Sequence, residues 1–144
     1  MKSSDKTKSI LKDFQGGKVS NAFLQILELI KKEPNNLDYI FLYAKMCNQV
    51  NKLDESEKAS LFLVSKNENS IEYLHNLYSV YIKKNNIVKS ELYIKKLLEK
   101  DNTHYEAQRD FGYIEYTKEN FNSAKTILEN IVNQNTNDSF ALNI

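Results

Sequence analysis

Few side chains in this chain are equipped for chemistry. It carries two histidines, His75 and His104, and a single cysteine, Cys47. A nucleophile needs a base within hydrogen-bond reach, and a metal needs several ligands at spacings that let them converge. Neither histidine has a cysteine or carboxylate at such a spacing, so no catalytic residue, metal or cofactor is expected. His75 reads as a binding-surface residue and His104 as a turn residue. Gly16-Gly17 and Gly112 are isolated, which excludes a glycine-rich phosphate loop. Cys47 lies on an apolar helical face, where a thiol packs as a small hydrophobe. The expected protein is not an enzyme and works by contact.

Bulk properties narrow the contact. The formal net charge is +1, so no global field draws in nucleic acid or an anionic membrane. The first quarter of the chain is net positive and the last net negative, an imbalance that a solvated surface produces by chance. A lone cysteine forms no intrachain disulfide and suits a reducing compartment. The opening MKSSDKTKSILKDFQGG lacks the continuous apolar core of a signal peptide, and no apolar run is long enough to cross a bilayer. These features point to the cytoplasm, with no nucleic acid and no membrane as expected partners.

The elements that must present such a surface show themselves by repetition. The stretch Gly112 to Val132 has a small residue, an apolar run, a polar break, then Phe121, Ala124 and a second apolar run. Ile87, Ser90, Ile94 and Leu98 repeat its outline 34 residues earlier, Leu53, Ser56 and Val64 one period before, and Val19, Ala22, Ile26 and Ile30 one before that. Such a period is the mark of a repeat architecture. Within each period apolar residues fall at i, i+3 and i+4, which is helical spacing, and the scarcity of glycine and proline agrees. Polar breaks at Gly16-Gly17, Asn48–Lys52, Lys83–Asn86 and Lys118–Asn120 divide each block into two helices. Ala22, Ser56, Ser90 and Ala124 are small where two helices must approach closely. A lone hairpin cannot bury its apolar face, whereas stacked hairpins can.

These residues resemble an array of tetratricopeptide repeats, a family of 34-residue helix–turn–helix units. The small residues Ala22, Ser56, Ser90 and Ala124, the small Ala44 and Gly112, the apolar Val19, Leu53, Ile87 and Phe121, and Pro34 carry the likeness. The resemblance implies an all-α fold, a right-handed superhelical α-solenoid of antiparallel helix–turn–helix repeats. The blocks would be 3–36, 37–70, 71–104 and 105–138, with 139–144 starting an incomplete fifth repeat or capping helix. Three features depart from the pattern. Tyr78 stands where a small residue is usual, implying a splayed third hairpin or a shifted helix. Tryptophan is absent. Ile10, Leu11 and Phe14 lie one residue late, implying a shorter turn at Gly16-Gly17 or a distorted capping repeat. Pentatricopeptide repeats, which bind RNA, have a longer period and basic arrays, and fit less well.

In that family the first helices line a concave groove that holds a peptide or protein. Carried onto this chain, the groove positions are Asp38, Phe41, Lys45, Asn48 and Gln49; Glu72, His75, Ser79, Ile82 and Lys83; and Glu106, Arg109, Tyr113, Tyr116 and Thr117. Aromatic area with polar groups between it suits peptide recognition. The family's carboxylate clamp needs basic residues where this chain has Phe41, Glu106 and Asp110, so that mode is not expected. The resemblance thus implies an interaction scaffold. A second reading makes the chain the N-terminal partner- or substrate-binding module of a longer enzyme, such as a glycosyl- or sulfotransferase, because ILKDFQGGKVSNAFLQIL before Pro34 resembles the first repeat of such bacterial proteins. A third is self-association through the C-terminal repeat, on the expectation that Ile127, Ile131 and Val132 are exposed.

Overall fold

The structure is a computed structural model that describes residues 2–134. Within them the chain forms eight helices and no strand: α1 (Ser3–Gln15), α2 (Val19–Lys32), α3 (Leu37–Gln49), α4 (Leu53–Lys66), α5 (Ile71–Lys83), α6 (Ile87–Lys100), α7 (Tyr105–Thr117) and α8 (Phe121–Gln134). Consecutive helices pair as antiparallel hairpins, and each hairpin packs on the next through α2 on α3, α4 on α5 and α6 on α7. The expected fifth start at 139–144 lies outside the described residues.

All four hairpins turn through three residues, and one backbone device makes the turn. Gly17, Asn51, Asn85 and Glu119 each adopt the left-handed conformation, with φ of 93°, 62°, 58° and 62°. The next residue's N–H then reaches back to the helix: Lys18 to the Asp13 carbonyl, Lys52 to Cys47, Asn86 to Tyr81 and Asn120 to Glu115, at 2.8–2.9 Å. The left-handed residue's own N–H bonds Phe14, Asn48, Ile82 or Tyr116. This pair of bonds satisfies the carbonyls that a helix end leaves open. The expected shortening at Gly16-Gly17 is therefore not found. The first turn has the same length as the others, and Ile10 and Phe14 are buried in register with Ala44 and Asn48.

Side-chain caps set the start of each later first helix. Asn36 Oδ1 accepts from the Asp38 and Tyr39 N–H groups, Ser70 Oγ from Tyr73, and His104 Nδ1 from Ala107. These residues satisfy N–H groups that otherwise have no helical partner. His104 is thus a helix cap.

Ala22, Ser56, Ser90 and Ala124 are all buried at the hairpin crossings. A Cβ on Gly112 would meet Ile127 Cγ2 and Leu128 Cδ2 at 3.3 Å, so the glycine fits a close approach of α7 and α8. Tyr78 does not splay its hairpin: α5 and α6 stay packed. Its ring is buried, and its hydroxyl donates to Asp110 Oδ2 of α7 at 2.8 Å. The bulk is thereby directed to the following hairpin. Leu27, Leu61 and Leu92 are exposed, while Ser60 and Asn76 are buried. On α8, Ile131 is buried and Ile127 and Val132 are half-buried. Ile131 lies two turns beyond Ala124 on the same helical face, which removes the stated ground for a bare outer face there. No helix among the described residues is long and apolar enough to cross a membrane.

Candidate functional site

The first helices of the first three hairpins pack on one another, α1 on α3 and α3 on α5, whereas among the described residues no second helix makes comparable contact with another. Closer spacing on one side of a stack bends it toward that side, so the first helices line the inner surface.

On that surface a hollow of about 330 Å³ is lined by Phe41, Lys45, Ile71, Glu72, His75, Asn76 and His104. Four of these are groove positions taken from the sequence: Phe41, Lys45, Glu72 and His75. Ile71, Asn76 and His104 were missed. Ile71 precedes His75 by one helical turn, which is the signal that could have found it. His104 reaches the hollow because capping fixes its ring 5.6 Å from that of His75.

Aromatic and polar contacts fix the walls. Phe41 meets Tyr73 edge to face, with ring centroids 5.1 Å apart, and the Lys45 ammonium lies 4.4 Å over the Phe41 ring. His75 Nε2 and Glu106 Oε2 are 2.7 Å apart, and the His75 ring stands edge-on to Tyr78. Burial, followed by the Asp38 and Glu72 carboxylates, raises the Tyr73 phenol pKa. Burial and then Asp110 push the Tyr78 phenol up further, so both phenols stay neutral.

The remaining groove positions differ in their surroundings. Asn48 is buried and belongs to the packing between hairpins: its Nδ2 donates to Asn76 Oδ1 and to Ser79 Oγ. Lys83 Nζ donates to the Asn48 carbonyl at 2.8 Å, Arg109 pairs with Asp110, and Thr117 Oγ1 donates to the Ile114 carbonyl. Ile82 is half-buried against Leu74 and its neighbours. Asp38 and Gln49 are exposed. Tyr113 and Tyr116 are 61% and 59% exposed and do not line the hollow. Tyr116 instead packs edge-on against exposed Phe121, a second aromatic patch at the tip of the last hairpin. Among the described residues no group of three histidine, cysteine or acidic side chains could hold a metal ion.

No family model matches this sequence, and no curated protein sequence does. Solved structures match closely in shape. A tetratricopeptide repeat protein from Parabacteroides merdae superposes with a TM-score of 0.86 at 19% identity, over 96% of this chain and 55% of its own length. MamA from Desulfovibrio magneticus RS-1 gives 0.82 at 12% identity, over 92% and 76%. YrrB, described as a TPR protein with an unusual peptide-binding site, gives 0.79 at 15% identity, over 91% and 68%. This chain thus spans about half the length of the Parabacteroides protein. Its fold is that of the tetratricopeptide repeat proteins, a right-handed superhelical α-solenoid.

Proposed function

We propose that this chain is a protein–protein interaction scaffold that holds a peptide or protein segment along the surface of α3, α5 and α7. Its working units are four repeats, at 3–36, 37–70, 71–104 and 105–138. The observation that carries the reading is the inner hollow, where Phe41, Lys45, Glu72 and His75 from two consecutive hairpins meet around one space. A concave site with an aromatic wall and a few convergent polar groups is the geometry of a binding site. The peptide-binding site of YrrB, on the same fold, supports it. No step of catalysis is assigned to the groove. As the binding module of a longer enzyme it would act in the same way.

The test is capture of a defined peptide pool by wild type and by a Phe41→Ala, Arg109→Ala, Tyr113→Ala variant. The variant should lose the peptides that wild type retains while its far-ultraviolet circular dichroism is unchanged. An unchanged retained set would reject the groove. A second reading, association through the last hairpin, is favoured by exposed Tyr113, Tyr116 and Phe121. Sedimentation should then show a dimer that Tyr116→Ala and Phe121→Ala dissolve, and a wild-type monomer at tens of micromolar would remove it.

A further inference from the structure

Resting on the groove reading, the charge inventory of the hollow points to the chemistry of its occupant. The groove's cations are engaged within the molecule. Lys83 is hydrogen-bonded to the Asn48 carbonyl, Arg109 pairs with Asp110, and Lys45 covers the Phe41 ring. Its carboxylates are not balanced in the same way. Asp38 and Glu72 are exposed, and among the described residues neither has a cation at ion-pair distance. Both flank Tyr73, whose ring packs on Phe41. Phe41 and Glu72 line the hollow, and Tyr73 and Asp38 lie beside them outside its lining, so the order is an aromatic pair with carboxylates next to it. That order suits a guanidinium or ammonium, which gains from a ring face and from anions beside it. Lys45 already demonstrates the first half of that contact, because its own ammonium rests on the same ring.

We propose that the hollow selects a basic segment, an extended peptide carrying arginine or lysine, and that Lys45 competes internally for the Phe41 face. The acidic residues Asp38, Glu72 and Glu106 occupy equivalent places on the first turns of α3, α5 and α7. Packed helices lie roughly 8–10 Å apart, and an extended chain rises about 3.3 Å per residue. Basic residues three apart in the bound segment would therefore meet the carboxylates of α3 and α5, Asp38 and Glu72. This preference is opposite in sign to that of a carboxylate clamp.

Fluorescence anisotropy with three matched labelled peptides tests the proposal. Each is nine residues long with capped ends, identical except at every third position, which is arginine, glutamine or glutamate. The arginine peptide should bind about tenfold tighter than the other two, and rising salt should weaken it. Asp38→Asn with Glu72→Gln, both exposed changes, should abolish the preference while leaving the melting curve unchanged. Lys45→Ala should tighten the arginine peptide. A glutamate preference, or an arginine preference that survives the double variant, overturns the proposal. Equal binding of all three peptides that Phe41→Ala abolishes also overturns it but keeps the groove. Binding that survives Phe41→Ala, or no binding of any peptide, rejects the groove as well.

Discussion

The junction of the first hairpin with α3 and the junction of the second hairpin with α5 share one backbone register and differ in chemistry. At the first, Phe14, Phe23 and Tyr43 form an edge-to-face chain with centroids 6.2 and 6.1 Å apart, set among buried Ile10, Ile26, Met46 and Cys47. Burial, then the contact with Cys47, pushes the Tyr43 phenol up to about 12. At the second, buried Asn76 donates to Ser60 Oγ at 2.8 Å and to Ser56 Oγ at 3.3 Å, and accepts from Asn48. The outer rims differ likewise: Phe23 with Val50 at the first, Glu57 with Lys84 at the second. Apolar contact is strong but non-directional. Hydrogen bonds in a low-dielectric interior fix geometry but cost stability when incomplete. Asn76 also lines the hollow, so the directional junction lies beneath the candidate site and the stronger one beside it.

If that contrast is correct, the largest single loss comes from the apolar junction. Ile26 is fully buried, and Ile26→Ala should cost about 3–4 kcal/mol by lost transfer energy plus a cavity. The urea midpoint should fall with the slope unchanged. Asn76→Ala comes next, at about 2 kcal/mol, because it strips partners from Asn48 and two serines. Asn76→Leu combined with Asn48→Leu and Ser60→Ala should recover much of that loss, since it removes the groups left unsatisfied while Ser56 keeps its bond to the Ala44 carbonyl. Asn48 Oδ1, which has no hydrogen-bond partner among the described residues, favours this outcome. Additive losses would show that the polar residues pack independently.

The turns extend the comparison and reverse its sign. Gly17 takes its left-handed backbone without strain, whereas Glu119 carries a Cβ in the same conformation. Glu119→Gly should stabilise by about 1 kcal/mol, the left-handed penalty less the added chain entropy. Gly17→Ala should destabilise by a similar amount, read as shifts in melting temperature.

The period of 34, the small residues at the crossings and the helical spacing were legible because each rests on local sequence repeated several times. The hairpin exit at Gly17 was legible, while Asn51, Asn85 and Glu119 doing the same work was not, since only the aligned turns reveal it. Asn48 was placed on the groove because its register suggested it. Whether such a residue points to solvent depends on the next hairpin, and here Asn76 and Ser79 cover it. Tyr78 misled for a related reason: the partner that accommodates it, Asp110, is 32 residues away. Ile71 and His104 entered the hollow through packing and capping at positions outside the family's groove set, although the caps Asn36, Ser70 and His104 recur every 34 residues.

The smallest effect separates the two rims. Lys84 Nζ lies 2.6 Å from Glu57 Oε1 and 2.7 Å from Asp54 Oδ1. The Lys84 hydrogen bond, opposed by burial and aided by Tyr81, holds the Glu57 carboxyl below the usual range. Its stabilising contribution is present above the unfolded carboxyl pKa of about 4.3 and is lost as pH falls through the lower folded value. Bonds to Asp54 and Glu57 hold the Lys84 ammonium above the usual range. That contribution is present below about pH 10.4 and is lost as pH rises through the folded value. The stability gap between wild type and Glu57→Gln should therefore be level through neutral pH. It should close below about pH 4 and shrink with salt, because exposed pairs are screened. Val50→Ala, at the place that Lys84 holds on the polar rim, should lose stability by an amount that neither pH nor salt changes. If the two variants respond alike, the chemical difference between the junctions does not reach their rims.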